Sequence, residues 1–226
     1  MKPLLITIDG PAGAGKTTVS RMLAERLGFL YVDTGALYRG VAFEVASRGI
    51  DPEDERALGE LAASLGLRFV HTESGIRLFS GENDITDKIR TPEITMLAST
   101  VSAKPVIRQA LLDLQKRLGA KKAAVFEGRD MGTVVFPDAD VKFFLVAAVK
   151  ARAMRRFLEY KDAGLQRFED VLEDMKKRDE NDSSRAVAPL QPAEDAVIID
   201  STNLAPAEVV EKMMASIGAL SSQGGK

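Results

Sequence analysis

The sequence predicts an α/β fold organised around a parallel sheet. Three observations carry this. Short apolar, β-branched runs alternate with segments of helical spacing, a glycine-rich loop joins the first such run to the first helix, and polar clusters fall where the runs end. Leu4–Ile8 is the first strand, closed by Asp9-Gly10. Residues 16–27 follow as a helix, with Val19, Met22, Leu23 and Leu27 on one face and Gly28 as its stop. Phe29–Val32 is a second strand, and residues 36–48 and 54–65 are helices. Leu67–Val70 and Ile76–Phe79 flank a turn-rich stretch and read as an antiparallel hairpin inserted outside the parallel sheet. Thr91-Pro92 has the N-cap and first-turn signature of a helix start, and a further helix spans 105–118. Ala123–Phe126, Val141–Val146 and Val197–Asp200 are core strands. Residues 148–163, 167–182 and 206–219 are helices, and the tail 221–226 is expected to be disordered.

Composition narrows the function. The chain has 226 residues, 45% hydrophobic and 28% charged, enough to bury a core without staples. With no cysteine, disulfides, thiolate nucleophiles and zinc–thiolate sites are excluded. No apolar run reaches the ~20 residues of a membrane span, and no signal peptide is read at the N-terminus. A net charge of −2 argues against polymeric nucleic acid as a partner. The expectation is a cytoplasmic monomer that handles a small anionic substrate.

The sharpest signal is Gly10-Pro11-Ala12-Gly13-Ala14-Gly15-Lys16-Thr17, which matches G-x-x-x-x-G-K-[ST] between a buried strand and a helix. Backbone N–H groups and the helix N-terminus would cradle phosphates. Lys16 would reach the β- and γ-phosphates, Thr17 would hold Mg²⁺, and Thr18 extends the same nucleotide-binding segment. A guanine-reading N-K-x-D motif and a transporter-type L-S-G-G-Q motif are both absent, which leaves a small-molecule kinase.

Ligands of such sheets bind beyond the carboxyl ends of the strands. Thr34, Tyr38 and Arg39 fall there, on one side of a helix, and suit a flat phosphorylated ligand. Glu127-Gly128-Arg129-Asp130-Met131-Gly132 closes another buried strand with an Arg-Asp pair between glycines. The segment 148–185 carries Arg152, Arg155, Arg156, Arg178 and Arg185, suited to bidentate phosphate contacts from a flap that closes over the transferred group. The single histidine, His71, lies in the hairpin and is given no catalytic role.

Together, Ile6–Pro11, the phosphate loop, Asp33–Arg39, Gly128–Pro137 and Arg185-Ala186-Val187-Ala188-Pro189-Leu190 resemble bacterial-type cytidylate kinases, with matching segments from residue 4 to about 215. The resemblance implies a three-layer P-loop NTPase fold in a single domain with three parts. These are a core (about 1–60, 105–148 and 186–220), an acceptor-binding insertion with the hairpin (about 61–104) and a helical lid (about 149–185). It implies ATP and Mg²⁺ as co-substrates and CMP or dCMP as acceptor. The family's nucleotide contacts fall on Thr34, Arg39, Ser99, Arg108, Arg129, Asp130, Asp182 and Arg185, with Arg178 as a lid arginine and Arg152 toward the donor. Lys16, Arg129 and Arg178 are the expected catalytic groups. Cytosine offers an amino donor beside two acceptors. Asp130 or Ser99 would accept from the amino group and Arg108 would donate, leaving Arg39 and Arg129 for the phosphate and Asp182 and Arg185 for the sugar. Some relatives have Asp at the position of Glu127, which leaves open how closely this carboxylate approaches the Mg²⁺ shell. The rival readings are a kinase for another small acceptor (UMP, AMP or a sugar acid) and a nucleotide-dependent binding module.

Overall fold

The computed structural model describes residues 2–73, 75–160 and 167–223. The central sheet has five strands: β1 (Leu5–Asp9), β2 (Leu30–Asp33), β3 (Ala124–Glu127), β4 (Val141–Val146) and β5 (Val197–Asp200). Its order is β2-β3-β1-β4-β5, and β1 pairs in parallel with both β3 and β4, as β4 does with β5. All five positions of β1 and all four of β3 are buried. Both faces are therefore covered, which is why these strands read as unbroken apolar runs instead of alternating ones.

The chain divides into two compact units, Met1–Val32 with Gly119–Lys226, and Asp33–Leu118. In the first, helices α1 (Lys16–Leu27) and α8 (Pro206–Gln223) cover one sheet face, where Ile6, Ile8, Val19, Leu23, Phe143, Leu145, Val210 and Met213 form the core. Gly28, at φ +67°, caps α1 in the left-handed conformation expected of it. Helices α6 (Val149–Tyr160) and α7 (Phe168–Ser183) pack on one another through Ala153, Val171 and Met175. The expected helix over 148–163 is described only to Tyr160, since residues 161–166 lie outside the described residues.

The second unit holds α2 (Thr34–Ser47), α3 (Glu55–Ala63), α4 (Pro92–Val101) and most of α5 (Pro105–Gly119). It also contains the hairpin Leu67–Thr72/Gly75–Ser80, which gains a two-residue third strand at Asn83–Asp84 and forms a sheet of its own. Asp33 and Asp54 cap α2 and α3, each accepting an N–H three residues on, and Thr91 does the same for α4 with Pro92 behind it.

Two features depart from the sequence expectation. Residues 221–223, expected to be disordered, continue α8, whose anchored face (Val209, Val210, Met213, Ile217) makes further turns inexpensive to add; residues 224–226 lie outside the described residues. After β3 the chain forms a five-residue π turn, Met131–Val135. Among the described residues, no helix is long and apolar enough to cross a membrane.

Candidate active site

β1 delivers the chain into the phosphate loop at Gly10. Its φ is +144°, and a Cβ there would lie 2.1 Å from the carbonyl oxygen of Leu145, so only glycine fits. At Gly13, φ +73°, a Cβ would lie 2.8 Å from Met175 Cε and 3.0 Å from Arg152 Cβ. Lys16 opens α1 and folds back over the loop, donating to the carbonyls of Gly10 and Pro11 at 2.7 Å each. It is only 7% exposed. Burial, and then the Arg129 guanidinium, push its pKa well below the ordinary lysine value; Arg178 acts in the same sense, and Glu127 and Asp9 oppose. A buried ammonium among arginines is stabilised by incoming negative charge.

Thr17 is exposed and donates its hydroxyl to Oε1 of Glu127 at 2.8 Å, and Tyr31 donates to the same oxygen at 2.9 Å. Arg21 lies over the Tyr31 ring, 5.3 Å from its centroid. Thr18 is exposed on the next position of α1.

Arg129 donates through Nε to Asp182 Oδ2 at 3.0 Å and through Nη1 to the carbonyl of Gly128 at 3.0 Å. Arg185 donates to the other Asp182 oxygen. Asp182 is almost fully buried. Burial opposes its charge, but Arg129, Arg185 and Arg178 outweigh that and hold its carboxyl below the usual range. Lys16, Arg129, Arg178 and Arg185 are thus gathered in one unit, and Asp130 is buried next to Arg129. Arg152 makes a bidentate pair with Asp179 at 3.0 and 2.6 Å, and also donates to the carbonyls of Ala147 and Ala12. It therefore clamps α6, α7 and the phosphate loop together.

In the second unit, Thr34, Tyr38 and Arg39 all lie on α2. Asp33 accepts from the N–H of Ala36 and from Arg39 Nη2, both at 2.9 Å, so the guanidinium is oriented rather than solvated. Arg108, from α5, stacks over the Tyr38 ring at 5.8 Å and donates to the carbonyl of Ser102 at 3.1 Å. Ser102 in turn donates to the carbonyl of Ser99. Ser99, Arg108 and Tyr38 therefore form one connected patch.

Sequence reasoning missed three participants. Asp9 accepts two N–H groups of the turn after β3, Tyr31 steadies Glu127, and Ser201 donates to the carbonyl of Ala14 at 2.9 Å from below the loop. Only Asp9 carried a signal, as a carboxylate at a strand end directly before the loop's first glycine.

A parallel sheet whose central strand runs into this loop, with lysine and arginines converging there, defines a P-loop phosphotransferase. The family model described as cytidylate kinase matches residues 6–219. A cytidylate kinase of Geobacter sulfurreducens is 46% identical over 93% of this chain and 91% of its own length. One of Shouchella clausii is 47% identical over 92% and 93%. The chain belongs to the cytidylate kinase family. The fold is also that of a gluconokinase from Sinorhizobium meliloti, at 16% identity, a TM-score of 0.51 and coverage of 98% of this chain and 95% of that one.

Proposed function

We propose that the protein transfers the γ-phosphoryl group of ATP to CMP or dCMP, with Mg²⁺, giving CDP or dCDP and ADP. The observation that carries this reading is the cluster of Lys16, Arg129, Arg178 and Arg185. Transfer between two anionic nucleotides needs cations on the donor loop and cations for the acceptor within one arrangement, and little else from the protein.

In this reading the loop Gly10–Thr17, with Thr18, holds the donor phosphates, and Arg152 braces the loop from α6. Lys16, Arg129 and Arg178 stabilise charge on the transferring group. The acceptor phosphate is already anionic at neutral pH, so no general base is assigned. Thr17 would hold Mg²⁺. Its hydroxyl and the adjoining Glu127 carboxylate are oxygen donors of the hard kind that this ion takes, and the ion would neutralise charge on the donor phosphates. Arg39 and Arg129 take the acceptor phosphate, and Asp182 and Arg185 take the sugar. Thr34, Tyr38, Ser99, Arg108 and Asp130 take the base and its surroundings. Residues 149–185 act as a lid, and the protein works as a cytoplasmic monomer.

The test is stoichiometry: with purified protein, ATP and Mg²⁺, ADP should form mole for mole with CDP and only when CMP is present. ADP formation at the same rate without any acceptor would refute the reading.

A further inference from the structure

Asp9 has no part in the scheme above, yet it is 4% exposed and carries a carboxylate into the interior. Both its oxygens are engaged by one distant segment: Oδ1 accepts from the N–H of Met131 at 2.9 Å and Oδ2 from that of Gly132 at 2.8 Å. These N–H groups open the π turn Met131–Val135, and the first N–H groups of any helical turn lack partners within it. Asp9 supplies the acceptors from another strand. It is also bonded covalently to Gly10, whose carbonyl accepts from Lys16.

We propose that Asp9 is a positioning residue that holds the turn bearing Arg129 and Asp130 in register with the phosphate loop. The inference rests on the reading that Arg129 and Asp130 hold the acceptor. One side chain then joins the two ends of the phosphoryl path: through the backbone to the donor loop, and through two hydrogen bonds to the acceptor turn.

Three further observations support this. The turn lies directly on β1, since a Cβ at Gly132 would fall 3.0 Å from Thr7 Oγ1, 3.2 Å from Lys142 Cδ and 3.4 Å from Asp9 Oδ2. The charge is retained at a cost. The Asp9 carboxyl is pushed up to about 6, because burial, aided by the neighbouring Asp130, outweighs the N–H groups of Gly132 and Met131 and the Lys16 ammonium, which lower it. Only a carboxylate accepts at both positions, because an asparagine would meet one of the two N–H groups with its own donor. Phosphoryl transfer leaves the protein mainly the work of alignment, so this link bears on rate directly.

The experiment compares wild type with Asp9→Asn and Gly132→Ala. Steady-state kinetics use whichever nucleoside monophosphate wild type turns over best, and calorimetry measures ADP binding. Failure of wild type to use CMP would thus refute the proposed function, and the Asp9 comparison would still be read. For Asp9→Asn the expected result is a fall in kcat/KM for the acceptor of about 10²-fold, since displacements near 1 Å cost that much, and for Gly132→Ala, whose turn moves by less, a fall in the same direction of about tenfold. ADP affinity should stay within about threefold, because the donor loop itself is untouched. If Asp9→Asn does not fold, Gly132→Ala decides. It keeps every polar group and presses the turn away from β1 by a few tenths of an ångström. Equal weakening of acceptor and ADP, loss of ADP binding alone, or wild-type behaviour in a folded variant would overturn the proposal.

Discussion

Lys16 donates to two carbonyls of its own loop and is surrounded by burial and arginines that disfavour its charge. In the proposed reading a transferring phosphoryl group is the partner that relieves this. Lys16→Ala should therefore leave the fold intact, as judged by circular dichroism, and lower kcat by about 10²–10³-fold or more. Near-normal turnover would remove Lys16 from the mechanism. In the proposed reading Asp130, buried beside Arg129, addresses the base. Uracil would present a lone pair to this carboxylate where cytosine presents an N–H, which is worse than a lost contact. Asp130→Asn should lower kcat/KM for CMP and narrow the gap between CMP and UMP. Equal falls for both would assign Asp130 to holding Arg129 instead. Asp9 makes a prediction of the opposite electrostatic kind. Its folded pKa, about 6, lies above the ordinary 3.8, so the folded protein binds the extra proton between these values. The resulting stabilisation is fully present below about pH 4 and is lost as pH rises through about 6. Relative to Asp9→Asn, ligand-free wild type should lose on the order of 2–3 kcal/mol between pH 4 and pH 7, at about 1.4 kcal/mol per unit. Urea unfolding of both proteins across that range measures it; a constant difference would show that Asp9 titrates normally.

At the scale of elements, the strands and most helices could be read from the chain because their causes are local. Val141–Val146 forms as expected, as does the α4 start at Thr91-Pro92, whereas Val197–Asp200, expected as a core strand, forms at the sheet edge with only Ile199 buried. The π turn at 131–135 could not be read, because its acceptor, Asp9, lies more than 120 residues away in sequence. The same applies to the Tyr31–Glu127–Thr17 chain, in which each hydroxyl finds a carboxylate through sheet order and not through sequence spacing. The phosphate loop was legible because strand, glycines, lysine and helix are contiguous. Helices α6 and α7 are held by a small apolar patch and by the Arg152–Asp179 pair, with a strongly charged outer surface. Elements with so little core open easily, which suits a lid. Hydrogen exchange should show protection over 150–160 and 167–185 rising when a bisubstrate analogue binds. Unchanged protection there would end the lid assignment.

For the whole molecule, two compact units each carry an apolar core and a polar patch with different chemistry. Asp33–Leu118 presents a stacked Tyr38–Arg108 pair and an oriented Arg39, groups suited to a flat base and a phosphate. The remainder presents the phosphate loop and its arginines. Family membership and this division point to a nucleoside monophosphate as acceptor rather than a sugar acid. The most direct measurement is kcat/KM with ATP and Mg²⁺ for CMP, dCMP, UMP, AMP and gluconate under one set of conditions. The account predicts CMP and dCMP at the top, with UMP and AMP lower by at least about tenfold and up to about 10⁴-fold, the most that a hydrogen-bonding site achieves, and no turnover of gluconate. Equal or greater efficiency with UMP, AMP or gluconate would contradict it.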